Sequence, residues 1–472
     1  MHNSSRYKDT LKSKKNIAVG NVQDPNHSLK VGIWIYFFLL IFEGGLRKWV
    51  LPALSTPLLI IRDPIALWLL ITSARRGLLS FNVYMSGMIF IGIAGIFTAV
   101  FFGHGSFPVA VYGARILALH FPIIFVIGRI FNRDDVIKMG RVALLISIPM
   151  AVLIALQFYS PQSAWVNRSV GGGDEGAGFS GAMGYLRPPG TFSFTNGTTL
   201  FFGFVSPFVF YFWLNPKEVN KIILIGATLS LLSAIPLSIS RGLFFQIILS
   251  MLFAVMAISR KPEYAGKMVV VIVAGLISLV TLSQVSFFQT ATEAFTSRFE
   301  VANDVEGGVN GVIGDRYIGG LINGIAGSAD QSFWGLGIGI GTSVGASLLT
   351  GSAALQLGED EWGRIMGELG VLLGLAVIFL RLGLCLKIAI AAYRKLSNGD
   401  LLPWLLLSFC LVNVPQGPWG QPTSLGFGVL IGGVTLASLR SSMKKSNLTK
   451  IKSNLNKAGK QGANKLVSKL KV

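Results

Sequence analysis

Long apolar runs alternate with short polar connectors over most of this chain. Apolar segments fall at roughly 31–46, 56–73, 83–102, 114–131, 139–159, 197–214, 220–238, 242–259, 267–287, 365–386, 401–415 and 423–440. A helix of about 20 such residues crosses roughly 30 Å of hydrocarbon. The pattern predicts an all-α polytopic membrane protein with about twelve transmembrane helices. A β-barrel would show short alternating segments instead. The first 30 residues are polar, so the first segment serves as the targeting signal in place of a cleavable signal peptide.

The connectors give the expected orientation. Lys8, Lys12, Lys14 and Lys15 precede the first segment. Every second connector after it is basic: Arg75 and Arg76, Arg133 and Lys138, Lys217 and Lys221, Arg260 with Lys261 and Lys267, then Arg394 and Lys395. By the positive-inside rule these connectors and both termini are cytoplasmic. The chain divides into an N-terminal tail (1–30), a membrane domain (31–440) and a basic C-terminal tail (441–472). Two long connectors fall outside, 160–196, rich in glycine, and 288–364. Loops of such length are usually functional.

Composition agrees and narrows the classes. Of 472 residues, 52% are hydrophobic and 13% charged, against about 25% charged in a soluble domain. Mean hydropathy is +0.62. The net charge of +20 would suit nucleic acid, but its confinement to tails and alternate connectors speaks for membrane orientation and against a nucleic-acid partner. Cys385 and Cys410 lie within apolar runs, and His2, His27, His104 and His120 are scattered without ligand spacing. Neither a disulfide framework nor a metal site follows, and no cofactor is implied. The tail from Lys444 carries nine lysines and no acid, with a loose stripe of Leu448, Ile451, Leu455, Leu466 and Leu470. It reads either as a solvated orienting tail or as an interfacial helix on membrane lipid.

Arginines on the outer side stand against the charge rule. Arg187 lies in YLRPPGTFSFTNG, Arg241 in LSISRGLFF, Arg298 in SRFE and Arg316 in GDRYIGG. Arg298 beside Glu300 and Arg316 beside Asp315 also fit surface ion pairs. Arg241 has no acid nearby in sequence. A guanidinium fork matches phosphate and keeps its charge, so a cluster of these side chains points to a lipid phosphate or diphosphate. Glu43, Arg47, Lys48, Arg62 and Asp63 read as a pairing network between the first two segments. Arg115 and His120 are candidates for the same cavity or for pairing within it.

The stretch GEDEWGRIMGELGVLLG, at 358–374, brings Glu359, Asp360, Glu361 and Arg364 to the edge of a membrane segment. It is either a solvated edge that contributes a base or a structural partner of Arg364. Glu368 reads as a cap or pair. Trp362 and Trp334 are candidates for stacking on a sugar, as Asp360 is for touching an acceptor, although interfacial tryptophans are common without any ligand.

These features resemble the O-antigen ligase and O-antigen polymerase superfamily of bacterial membrane glycosyltransferases. The resemblance rests on the twelve segments, RPPGTFSFTNG before the sixth, SRG between the seventh and eighth, and the long loop ending in GLGIGIG…ELGVLLG. FEGGLRKWVLP and RDP add to it. It spans most of 31–440 and implies a GT-C-type fold in the cytoplasmic membrane, and an undecaprenyl-diphosphate-linked oligosaccharide donor. It also implies a metal-independent inverting transfer to a glycan or lipid acceptor on the outer face. Arg187 and Arg241 match the positions thought to hold the donor diphosphate, with Arg298 or Arg316 as additions. One departure is visible. Many ligases carry a His-Asn pair nine residues before the Glu of E-x-G, where this chain has Glu359 and no histidine in the loop. Any base here is then a carboxylate, Glu359 first and Glu361 second. The expected activity is polymerisation of an exopolysaccharide or O-antigen repeat, with ligation to lipid A core second and transport of a lipid or polysaccharide third.

Overall fold

The computed structural model describes residues 24–260, 265–306, 319, 332–351 and 361–440. Each of the twelve apolar segments meets a helix. The α-helices of eight or more residues among the described residues are, in chain order, α1 (His27–Gly45), α2 (Arg62–Arg75), α3 (Val83–Phe101), α4 (Phe107–Arg115), α5 (Phe121–Ile130), α6 (Arg133–Tyr159), α7 (Asn196–Leu214), α8 (Lys221–Leu237), α9 (Arg241–Ser259), α10 (Ala265–Gln284), α11 (Ser286–Glu306), α12 (Ser343–Thr350), α13 (Glu361–Ser397), α14 (Leu402–Gln416) and α15 (Pro422–Ser438). The one sheet among the described residues is a hairpin of β1 (Phe179–Ala182) and β2 (Tyr185–Arg187). Single π-helical turns, Leu46–Val50 and Ile116–His120, extend α1 and join α4 to α5.

The protein is a multi-pass membrane protein, but the helices are less uniform than about twelve equal spans. Among the described residues eight are long and apolar enough to cross a membrane, including His27–Val50, Phe107–Ile130 and Glu361–Ser397. Three more, α8, α14 and α15, are apolar but have only 15 to 17 residues. At 1.5 Å per residue they reach about 22–26 Å, short of the usual core thickness. The segment expected at 267–287 is broken, with α10 and α11 meeting at 103°.

Helix α7 sits at the centre, with 89% of its most apolar window buried. Its Phe204 packs against Phe37 of α1, Phe409 of α14 and Phe427 of α15. Asn132 caps α6 with a reciprocal box involving Asp135. At this same end Asp135 also binds Lys30 of α1 at 2.8 Å, and Arg133 binds Asp400 at 3.2 Å. Arg133 further donates to the Tyr211 hydroxyl, which donates to Glu218. The loop between the last residue of α6 and the first of α7 lies at the other end.

Candidate functional site

Three elements deliver Arg187, Arg241 and Arg298, the described members of the arginine set, to one place. The β1–β2 hairpin turns through Met183 and Gly184, both at positive φ, the geometry that tight hairpin turns require. Tyr185 stacks flat on Phe158 at 4.9 Å and ties the hairpin to the end of α6. Arg298 on α11 donates through Nη1 to the Gly181 carbonyl of β1 at 2.8 Å. Beneath β1 lies the turn between α8 and α9, where the buried Ile239 holds φ at +46°. For a β-branched residue this left-handed conformation is strained by about 1–3 kcal/mol. The turn makes Arg241 the first residue of α9, capped by Ser240, whose Oγ accepts from the Leu243 amide.

Arg187 is thereby brought close to both other guanidiniums. Burial first, and then the charges of Arg298 and Arg241, pull Arg187 down to about 10. Its Nε is buried without a hydrogen-bond partner. Three like charges, one of them at a helix N-terminus, form a cationic cluster of a kind that suits an anion. Arg298 is bound to the hairpin through Gly181 and so orders the site as well as charging it.

Gly181 has no room for a side chain. A Cβ there would lie 2.4 Å from the Tyr185 carbonyl oxygen and 2.8 Å from Ile239 Cδ1. Gly181→Ala should therefore lift the hairpin from the turn, at a cost of about 1–3 kcal/mol. Thermal unfolding in detergent will read this as a lowered midpoint; an unchanged midpoint would show the hairpin to be loosely held.

The loop between Arg187 and α7 is anchored from beneath. The buried Lys48 donates to the Gly190 carbonyl at 2.7 Å, and Gln157 brackets the same residue, accepting from its amide and donating to its carbonyl. Arg47 holds Ser193 and pairs with Glu43, which also faces Arg62 at 3.5 Å. Asp63 takes Arg115 at 2.7 Å and His120 at 2.9 Å, and His120 reaches the Tyr36 hydroxyl with its other nitrogen. The expected pairing between the first two segments is thus present, and His120 is occupied by neighbours. Lys48, read from sequence as part of this pairing, instead supports the arginine loop.

Glu361 belongs to a different, buried group. Arg364 binds Glu361 through two donors at 2.9 Å and Glu368 at 2.6 Å, while Arg381 binds Glu361 at 2.7 Å. Arg381 also donates to the Val414 and Gly417 carbonyls and lies 4.0 Å over the Trp419 ring. Glu361 and Arg381 are 20 residues apart, about 30 Å in a straight helix. They meet because α13 breaks at Gly370 (φ 69°, ψ −175°) and its first arm folds back. The carbonyls of Gly367 and Glu368, next to the break, accept from the amides of Leu336 and Gly337. Gly370 leaves no room for a Cβ, which would fall 2.2 Å from the Phe333 carbonyl oxygen.

This placement revises several expectations. Glu361 has its lone pairs committed to two arginines and, being 5% exposed, acts as a charge partner rather than as an open base. Trp362 is 3% exposed and faces Arg381, which leaves no ring face for a sugar. Trp334 is 37% exposed but stacks on Phe102. Glu368 pairs with Arg364 and accepts from the Gly341 amide, though two turns into α13 rather than at its start. Glu359, Asp360 and Arg316 lie outside the described residues. The sequence reading missed Arg381. Its signal is plain in retrospect: a lone arginine in VIFLRLGLCL, inside a membrane segment, requires a buried partner.

An apolar groove of about 440 Å³ opens near Arg241. Ala151, Ala155 and Tyr159 of α6, Ser233 and Leu237 of α8, and Phe287 of α11 line it. Leu237 is the last residue of α8, and the three-residue turn to Arg241 follows directly. Among the described residues no three metal-ligating side chains converge.

No family model, curated protein or solved structure matches this chain.

Proposed function

We propose that the protein is a glycosyltransferase that joins undecaprenyl-diphosphate-linked oligosaccharide repeats into an exopolysaccharide or O-antigen. The reaction takes place on the outer face of the bacterial cytoplasmic membrane, with inversion and without a metal. The observation that carries this reading is the convergence of Arg187, Arg241 and Arg298, with an apolar groove whose lining includes Leu237, four residues before Arg241. A lipid diphosphate has these two parts, a doubly charged head and a long hydrocarbon tail. Counting the bent α10–α11 pair and the three shorter helices as crossings gives the twelve of the sequence reading, with both termini cytoplasmic and the arginines outside.

In this mechanism the acceptor hydroxyl attacks the anomeric carbon as the bond to the diphosphate breaks. The arginines stabilise the charge that develops on the departing diphosphate, where fixed donors in a dry site are most effective. The acceptor proton passes to a carboxylate, for which Glu359 is the candidate. The interrupted α13 and the bent α10–α11 pair support a second reading, transport, since broken helices are common in carriers.

The deciding experiment supplies purified protein with a lipid-diphosphate-linked repeat and resolves the products by size. Laddering supports polymerisation, and a single addition to lipid A core moves the assignment to ligation. Movement of lipid across vesicles with no glycan product overturns the enzyme reading.

The groove makes its own prediction. Ser233→Trp should fill it and raise the donor KM about tenfold, the equivalent of losing burial of roughly two methylenes, with kcat retained at saturating donor. Steady-state rates across donor concentrations check it. An unchanged KM would place the tail elsewhere.

A further inference from the structure

At the end of the bundle opposite the arginine site lies a second groove, of about 580 Å³, that the proposed reaction does not use. One wall is a single stripe of α13: Gly383, Leu386, Lys387, Ile390, Ala391, Arg394, Lys395 and Asn398 recur at the three- and four-residue spacing of one helix face. Tyr84 of α3 and Leu439, just past α15, complete it.

Chemistry changes along the stripe. Toward the middle of α13 the wall is small and apolar. Tyr84 lies against Gly383 and donates its hydroxyl to the Gly383 carbonyl at 3.3 Å. A Cβ on Gly383 would stand 3.2 Å from that ring. Leu386 and Ile390 are 62% and 46% exposed, as expected of side chains meant for hydrocarbon. Toward the end of α13 the wall carries Lys387, which leans over the Tyr84 ring at 5.6 Å, and then Arg394 and Lys395. Among the described residues no carboxylate pairs with any of these three cations. The nearest acid along the chain, Asp400, is taken by Arg133. From Gly383 to Asn398 the stripe climbs about 22 Å, roughly one membrane leaflet with its headgroup layer.

We infer that this groove binds one acidic phospholipid, its phosphate on Arg394 and Lys395 and an acyl chain along Leu386 and Ile390. The graded wall matches a molecule with one anionic end and one apolar end. Charge complementarity selects it over the other occupant within reach. The C-terminal tail beginning beside Leu439 carries nine lysines and no acid, so three unpaired cations repel it. In basic connectors cations of this kind draw acidic lipid to the surface; here a shaped groove holds it at a defined place. The inference is independent of the glycosyltransferase reading, since it needs only a membrane around the protein.

The test uses the full-length protein in mixed micelles with equimolar phosphatidylglycerol and phosphatidylcholine of identical chains, and counts retained lipids by native mass spectrometry. The expected result is one phosphatidylglycerol per chain, preferred roughly tenfold or more over phosphatidylcholine. Arg394→Gln with Lys395→Gln should remove that preference. Leu386→Trp, at an exposed position where the fold is not at risk, should expel the lipid without touching a charge. Neutralising Lys444, Lys445, Lys450 and Lys452 to glutamine should leave retention unchanged. Equal retention of the two lipids, or retention by both groove variants, overturns the inference. So does loss confined to the tail variant, which would assign the lipid to the tail.

Discussion

Arg187→Ala and Arg241→Ala should each lower turnover roughly 10²–10³-fold, the usual consequence of removing one fixed donor to developing charge. The distinguishing feature is what happens to stability. Arg187 is held beside Arg241 and Arg298 at an electrostatic cost, and its Nε donates to nothing. Removing it relieves like-charge repulsion, so the melting temperature of the unliganded protein should hold or rise while activity collapses. An arginine with a merely structural role would lose both together. Arg187→Lys keeps a charge but not the two-donor fork and should recover only part of the rate. Arg187 remains charged below its pKa of about 10, so its contribution to donor binding should be level from pH 6 to 9 and fall above that. Steady-state rates and thermal unfolding of the same preparations decide the matter.

Glu361→Gln should destabilise the protein by about 3–5 kcal/mol, because it leaves the buried Arg381 and the neighbouring Arg364 without their shared carboxylate. Arg381→Met should cost a similar amount. The double variant should cost clearly less than the sum, since Arg381 and Glu361 touch and share an energetic term. Equilibrium unfolding in detergent or urea gives all three values. The opposite pattern, full stability with activity abolished in Glu361→Gln, would restore Glu361 as the base and overturn the pairing assignment.

Those two groups also mark where the sequence was legible and where it was not. All twelve apolar segments became helices, because a run of apolar residues long enough to need internal hydrogen bonds has few alternatives. The convergence of Arg187, Arg241 and Arg298 was readable in outline, since arginines in connectors expected on the outer side stand against the charge rule. The pairing of Arg364 with Glu361 and Glu368 follows from spacings of three and four residues. The break at Gly370 did not show, because ELGVLLG continues the apolar composition through it. The bend between α10 and α11 was hidden in the same way. Without the break, Glu361 reads as the exposed lip of a loop and Arg381 as a stray charge. The burial of Trp362 is a product of the same fold-back.

The fold-back at Gly370 also constrains how the protein is assembled. The arm before the break carries Glu361, Arg364 and Glu368, and the span after it carries Arg381, so neither is neutral alone. As the span enters the bilayer it brings Arg381 with it, a penalty of roughly 2.5–3.5 kcal/mol near a helix centre on insertion scales. Only when the arm closes does the four-charge group sum to zero. Lateral insertion of the span therefore comes first, and closure of the arm second. The segment containing Leu336 and Gly337 docks last, because the carbonyls it needs are presented by the closed arm. Docking of the segment around Leu336 and Gly337 is thus coupled to the charge neutralisation at the break.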